Sequence, residues 1–283
     1  SGHWWAYYAL IQNYFGLWIS GGIGATWSLC VELSFYVFLP LFAWALLRAF
    51  PGRTRAQRIR IEVIVLLVLA VASVSLRTLT TGTGWHNTLP GNFDWFALGM
   101  LVAIASVAWH EQGPRIVELL RRFPSIAWGC AAIAFWVVST QLGLPHGLPQ
   151  NVARDKEIGE HLLYGAVGFF LILPAVFGAD GGGLVRAILR NRVLAWLGLV
   201  SYGIFLWHQP LAVEFWKLDD YGVMPSFRFG YITLATFAAT LACATASYYL
   251  LERPILRFKD GPLRRRARER AGPPATEASG IAG

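Results

Sequence analysis

Seven apolar runs alternate with short polar loops along the chain: residues 27–50, 60–80, 92–110, 124–144, 160–179, 197–216 and 228–251. Each is close to the roughly 20 residues that a helix needs to cross a bilayer at about 1.5 Å per residue. The pattern predicts an all-α, polytopic membrane protein with about seven transmembrane helices. Gly129, Gly165, Gly168 and Pro174 dilute the fourth and fifth runs. Asn92 is the predicted N-cap of the third. The last run carries Ala235, Ala239, Cys243 and Ser247 at four-residue spacing, a small-residue stripe that predicts close approach of another helix. Before the first run, residues 1–26 are crowded with Trp4, Trp5, Tyr7, Tyr8, Tyr14, Phe15 and Trp18 and broken by glycines. Two readings stay open for them: an interfacial segment with its rings at headgroup level, or a re-entrant piece lining a cavity. Beyond Pro262 the chain turns basic and then rich in Ala, Gly and Pro. The predicted organisation is a membrane domain over 1–257 and a disordered, basic cytoplasmic tail over 258–283.

Composition agrees with the pattern. The 283 residues are 55% apolar and only 14% charged, against about 25% charged in soluble domains. The mean hydropathy is +0.48. The formal net charge of +8 is not a nucleic-acid signal, because the basic residues sit in particular loops. Five Lys or Arg lie at or between the facing ends of the first two runs, three between the third and fourth, three between the fifth and sixth, and eight after the last, nineteen in all. The opposite side has five: Arg77, Arg154, Lys156, Lys217 and Arg228. By the positive-inside rule the nineteen face the cytoplasm. The expected location is the cytoplasmic membrane, with the first residues outside and the C-terminus inside. Cys30, Cys130 and Cys243 all lie in apolar runs and read as packing residues. No metal site is expected.

Four places carry candidate chemistry. Glu32 is a lone carboxylate in the first run and shares a helix face with Ser28 and Tyr36. Burying its charge in a spanning helix costs about 2.5–3.5 kcal/mol on insertion scales, so an intramembrane carboxylate reads as functional by default. A carboxylate satisfied by a neighbouring helix is the other reading. His208 falls near mid-membrane in Leu197–Leu211, where it shares a face with Ser201 and Phe205 and precedes Pro210. Pro210 frees the carbonyl of Leu206. A buried core histidine and a catalyst are both open. Glu252, Arg253 and Arg257 close the last run beside Pro254. They read either as an ordinary snorkelling helix end or, with Arg190, as a cytoplasmic anion site. Asp94 starts the third run, where a carboxylate suits the helix dipole. The polar stretch 145–160 is long enough to meet a ligand, but nothing in it is diagnostic.

Several of these residues fall in a recurring order: Trp27-Ser-Leu-x-Val-Glu-x-x-Phe-Tyr36, Phe93–Ala103, Ser201-Tyr-Gly-Ile-Phe-Leu-Trp-His-x-Pro210 and Glu252-Arg-Pro254. In this the chain resembles the membrane-bound acyltransferase 3 family from about Tyr7 to Arg257. The resemblance implies transfer of an acyl group, often acetyl from acyl-CoA, to a hydroxyl of a cell-surface carbohydrate, lipid-linked glycan or small molecule. It implies Glu32 and His208 as catalytic, pore or positioning residues, and Ser28, Tyr36, Ser201, Tyr202 and Asp94 as substrate-binding. Glu252, Arg253, Arg257 and Arg190 would hold acyl-CoA on the cytoplasmic side. No bound cofactor is implied: acyl-CoA, most simply acetyl-CoA, is a co-substrate, and the remaining partners are membrane lipids and an acceptor arriving from outside. One departure stands out. The family's first helices carry a basic residue and a His tied to transfer, and no such element precedes Trp27. The expectation is that N-terminal helices are missing and that this stretch alone is inactive. A glycan or lipid transporter using Glu32 and His208 as a proton relay is the competing class, although no internal repeat supports it.

Overall fold

The structure is a computed structural model and describes residues 4–15, 23–80, 84–109, 113–143, 153–177, 183–219 and 228–257. The basic tail expected over 258–283 and the first half of the polar stretch 145–160 lie outside the described residues. Every regular element among them is helical: α1 (Trp4–Tyr8), α2 (Thr26–Ala49), α3 (Arg55–Leu79), α4 (Leu89–Ala108), α5 (Arg115–Arg122), α6 (Ser125–Trp136), α7 (Arg154–Phe177), α8 (Leu184–Leu189), α9 (Arg192–Asp219) and α10 (Arg228–Ser247). The chain divides into two compact units, residues 1–194 and 195–283, and each is described by itself.

Five helical stretches are long and apolar enough to cross a membrane: α2, α3, Gly84–Ala108, α7 and Phe229–Arg257. A sixth is added if α5 and the stretch Ser125–Gln141, which meet at a 92° bend, count as one span. The run at 197–216 does form a helix in α9 but is not in that set. Tyr202, Trp207, His208 and Gln209 dilute its apolarity. The seven-helix count is therefore an expectation that the structure meets with five or six spans. Boundaries move for local reasons. α3 starts at Arg55, ahead of the apolar run, because Thr54 and Gln57 form a reciprocal capping box. α4 starts at Leu89 with Pro90 in its first turn. Asn92 therefore lies inside the helix and is not its cap. α7 begins at Arg154, with Asp155 and Glu157 in the first turn, where negative charge suits the dipole.

In the first unit, α2 packs on α4 through aromatics. Val31, Phe35, Phe38 and Phe42 recur at helical spacing, and Phe35 stacks on Phe96 at 4.4 Å while Phe38 meets Phe93 edge-on at 5.0 Å. Leu66 of α3 is fully buried in the same cluster. The chain ahead of α2 is tied down by side-chain amides: Gln12 donates to the Thr26 carbonyl at 3.2 Å, and Asn13 to the carbonyls of Trp27 and Asn87. Cys30 packs at 0% exposure.

In the second unit, α9 and α10 approach closely at Gly203. A Cβ there would stand 2.9 Å from the Cα of Ala244, which is itself fully buried. The buried positions of α10 are Ile232, Thr240 and Ala244, so its packed stripe runs one residue off the predicted Ala235–Ser247 row. Past Ser247 the helix widens into a π-type turn, Tyr248–Glu252, and then continues to Arg257.

Replacing Gly203 with Ala forces a methyl group into backbone, which in packed cores costs about 1–3 kcal/mol. Nothing stands within 4 Å of a Cβ at Gly198, one helical turn away. There Ala is expected to be neutral or to stabilise by up to about 1 kcal/mol. Thermal unfolding of the two variants in detergent should move Tm in opposite directions, or downward only for Gly203→Ala.

A candidate active site at one end of the first unit

The C-terminal half of α3 and the N-terminal turns of α4 and α7 bring their polar residues to one end of the first unit. On α3, Ser73 and Arg77 are one turn apart and both buried. On α7, Glu157 and His161 have the same spacing. The 3-10 turn Gly84–Asn87 adds His86.

The inner layer is built on Asp94. Its side chain accepts from Ser73 Oγ at 3.1 Å, and both of its oxygens meet His161 Nε2, at 3.1 and 2.9 Å. Asp94 and His161 are 6% and 5% exposed. Trp95 stacks on the imidazole at 4.4 Å and 12° and donates its Nε1–H to the His161 carbonyl at 3.1 Å. This depends on Gly165, one turn further along α7, where a Cβ would stand 2.6 Å from Trp95 Nε1. The glycine that weakened the apolar run is the one that admits the indole. The imidazole is thus fixed on its face by Trp95 and on its edge by Asp94. An Nε2–H held by a carboxylate leaves Nδ1 as the basic nitrogen.

The outer layer is built on Arg77. Its guanidinium donates to the carbonyls of His86 at 2.9 Å and Gly91 at 3.2 Å and to Asn92 Oδ1 at 3.2 Å, and lies 3.6 Å from Glu157 Oε1. Asn92 Nδ2 returns to the carbonyls of His86 and Thr88 at 2.7 and 2.9 Å. His86 Nδ1 stands 2.8 Å from Glu157 Oε1, while its Nε2 meets the Thr80 carbonyl at 3.1 Å. Both ring nitrogens therefore face oxygens, and both contacts are hydrogen bonds only when both nitrogens carry hydrogens. Arg154 donates to the Thr78 carbonyl at 3.1 Å and pins the start of α7 to α3.

The residues singled out from sequence fare unevenly. Asp94 is central, as the partner of Ser73 and His161 and not as a helix-dipole residue. Glu32 is half-buried, about 100° around α2 from the packed Val31–Phe35 face, with no hydrogen bond or ion pair among the described residues. Ser28 donates to the Ala25 carbonyl at 3.3 Å. Tyr36 is 63% exposed, at the edge of the aromatic cluster with its ring 6.3 Å from that of Phe35. In the second unit, Ser201 and Tyr202 are exposed, with Ser201 donating to the Gly198 carbonyl at 2.8 Å. His208 is exposed too, and its Nδ1 bonds the Phe205 carbonyl at 2.6 Å. Glu252 accepts from Ser247 at 3.4 Å, and the Arg253 guanidinium lies 5.5 Å from the Tyr249 ring centre. Arg190, at the end of α8, and Arg257 are exposed. Ser73, His86 and His161 are not singled out by the sequence, where Arg77 counts only as a topology charge and Glu157 only as part of the polar stretch 145–160. The available signal was the same one applied to Glu32 and His208: an ionisable residue in or beside an apolar run.

A helical protein with several helices long and apolar enough to cross a bilayer belongs to the class of polytopic membrane proteins, and this one holds a buried carboxylate–imidazole–hydroxyl array. The family model for the acyltransferase domain of the acyltransferase 3 family matches residues 1–249, and the chain belongs to that family. Neither a curated protein nor a solved structure matches it.

Arg77 and Glu157 give the site a stability test. Removing one partner of a buried ion pair costs about 3–5 kcal/mol, because the other charge is left unpaired. Glu157 is 39% exposed at its side chain and Arg77 9%, and Arg77 keeps the acceptors at His86, Gly91 and Asn92 when Glu157 is lost, so Glu157→Gln costs less than that range, whereas Arg77→Met leaves those three acceptors unmet as well and reaches it. Circular-dichroism melts in detergent should rank them wild type, Glu157→Gln, Arg77→Met.

Proposed function

We propose that this chain acts in an integral membrane O-acyltransferase that moves an acyl group from acyl-CoA to a hydroxyl of a cell-surface carbohydrate, lipid-linked glycan or small molecule. Acetyl is the group the family resemblance favours. Membership of an acyltransferase family supports acyl transfer. The observation that carries the reading into the structure is the Ser73–Asp94–His161 array. Acyl transfer to a hydroxyl needs a base for the hydroxyl proton and donors for the oxyanion. His161, oriented by Asp94 and clamped by Trp95, supplies an imidazole with one nitrogen committed and one basic. Arg77 is the fixed positive charge one turn above Ser73. Glu32 and His208 are positioning residues in this reading, with Ser28, Tyr36, Ser201 and Tyr202 on the acceptor's path.

The proposed setting is the cytoplasmic membrane, with the arginine-rich loops and C-terminus inside and the Asp94 site toward the outer face. Arg253 beside Glu252, with Arg190 and Arg257, would then bind the phosphates of CoA on the cytoplasmic side, where a guanidinium offers paired donors.

Two measurements test this in membranes carrying the full-length protein. Asp94→Asn keeps the shape and removes the charge that orients His161. It should lower kcat by about a hundredfold or more while leaving protein abundance and the donor KM nearly unchanged. Unaltered turnover would remove the array from catalysis. In inside-out vesicles, Arg253→Ala should raise the KM for acyl-CoA by about tenfold, the scale of one charge-assisted hydrogen bond, and leave the acceptor KM alone. Arg253→Lys should recover part of the loss.

A further inference from the structure

The first unit has a second feature at its other end. A cavity of about 530 Å³ lies among α3, α4, α5, α6 and α7, and its walls are apolar side chains throughout. Ile59 and Val63 contribute from the start of α3, and Leu98 to Trp109 from the C-terminal part of α4. Ile116, Val117 and Leu120 come from α5, and Phe169 to Phe177 from the end of α7. None of the polar residues of the Asp94 site lines it. Leu98 is one turn from Asp94, so the inner end of the cavity stops about 6 Å short of that carboxylate along α4. The outer end reaches the surface at α5, where Trp109 and Ile116 are 38% and 60% exposed.

The rim is charged. Arg115 and Arg122 are exposed on α5, and Arg121 donates to the carbonyl of Trp109, itself part of the lining, and pairs with Glu118 at 3.8 Å. Three guanidiniums face one carboxylate on an eight-residue helix. That helix meets the next at 92°, so it lies across the bundle, as interfacial amphipathic helices do.

Size, lining and charge together define an occupant. An apolar cavity of about 150 Å³ holds benzene's six carbons, so about 530 Å³ holds on the order of twenty. An acetyl group would leave it almost empty. The occupant has a long saturated chain and an anionic head at the arginine end. A long-chain acyl-CoA threaded from that rim would leave its thioester at the rim, at the opposite end of α4 from His161. A phospholipid of the adjoining leaflet has its head and chain in the required order. We propose that this cavity is a binding site for one acyl chain of an anionic phospholipid, whose phosphate sits against Arg115, Arg121 and Arg122. The chain then packs between α4 and the α5–α6 elbow and supports the wall that α4 and α7 share with the Asp94 site. Lipid composition becomes a determinant of how that site is held.

The test is native mass spectrometry of the full chain in detergent, with added phosphatidylglycerol, phosphatidylcholine or palmitoyl-CoA as the probe. One phosphatidylglycerol should be retained at least about tenfold better than phosphatidylcholine, the scale of two guanidiniums near an anionic head. Arg115→Gln with Arg122→Gln should erase that preference. Ala105→Trp, which fills the cavity, should abolish retention of either lipid. Should Ala105→Trp misfold, alkylation of Cys130, a lining residue, reports instead. In a Cys243→Ser background phosphatidylglycerol should slow it at least about tenfold, and phosphatidylcholine should not. Equal retention of the two lipids, unchanged retention in a folded Ala105→Trp protein, or displacement of phosphatidylglycerol by equimolar palmitoyl-CoA would each overturn the proposal, the last in favour of an acyl-donor site.

Discussion

A guanidinium withdrawn from water must have its N–H groups met, and in the first unit that requirement falls on Arg77. At 8% exposure it has no recourse to solvent, and an unpaired charge there would cost several kcal/mol. Its donors reach the loop carbonyl of His86, the helix carbonyl of Gly91, the amide of Asn92 and the carboxylate of Glu157. Those acceptors belong to the 3-10 turn, to α4 and to α7. One side chain of α3 thus fixes the relation of three other elements, and the position of Asp94 against Ser73 and His161 follows from it. Apolar packing cannot set this register, because among lipid chains it has little preference for one helix partner over another.

The first unit is polarised along α4. Near the start of that helix Ser73, Arg77, Asn92 and Asp94 all have partners, and the array around Asp94 is held by Trp95 on one side and Arg77 on the other. Toward its end the same helix lines an apolar void beside the arginine-bearing α5. Acyl transfer asks for a water-poor place with one oriented base, and the paired end has that character. The two ends share α3, α4 and α7.

The helical, membrane-spanning character was legible because apolar runs of bilayer length are hard to produce otherwise. Helix starts were less so, since caps such as Thr54 and first-turn acids such as Glu157 lie outside the apolar runs. Asp94 was visible as a polar residue at the head of a run, but its role was not: the ligand that defines it, His161, is 67 residues away. Arg77 was counted only as a topology charge, and His161 not at all, because a single basic residue near a helix end has an ordinary explanation. The attention given to Tyr36 and His208 followed motif and spacing. Spacing tells which residues share a face but not whether that face is turned inward, and both side chains turn outward here.

The widened turn at Tyr248–Glu252 has a meaning for how this protein can change over time. A π-type turn holds one residue more than regular helix needs, so everything after it is rotated by about 100° relative to the face that α10 presents before it. Ile232, Thr240 and Ala244 keep their packing whatever follows, and Glu252, Arg253 and Arg257 take their heading from the bulge. The chain carries a spare residue at that point. Loss of a single codon there returns the turn to regular helix and re-aims the terminal arginines in one step. Length variation between close homologues should therefore gather at this turn and nowhere else along the helix.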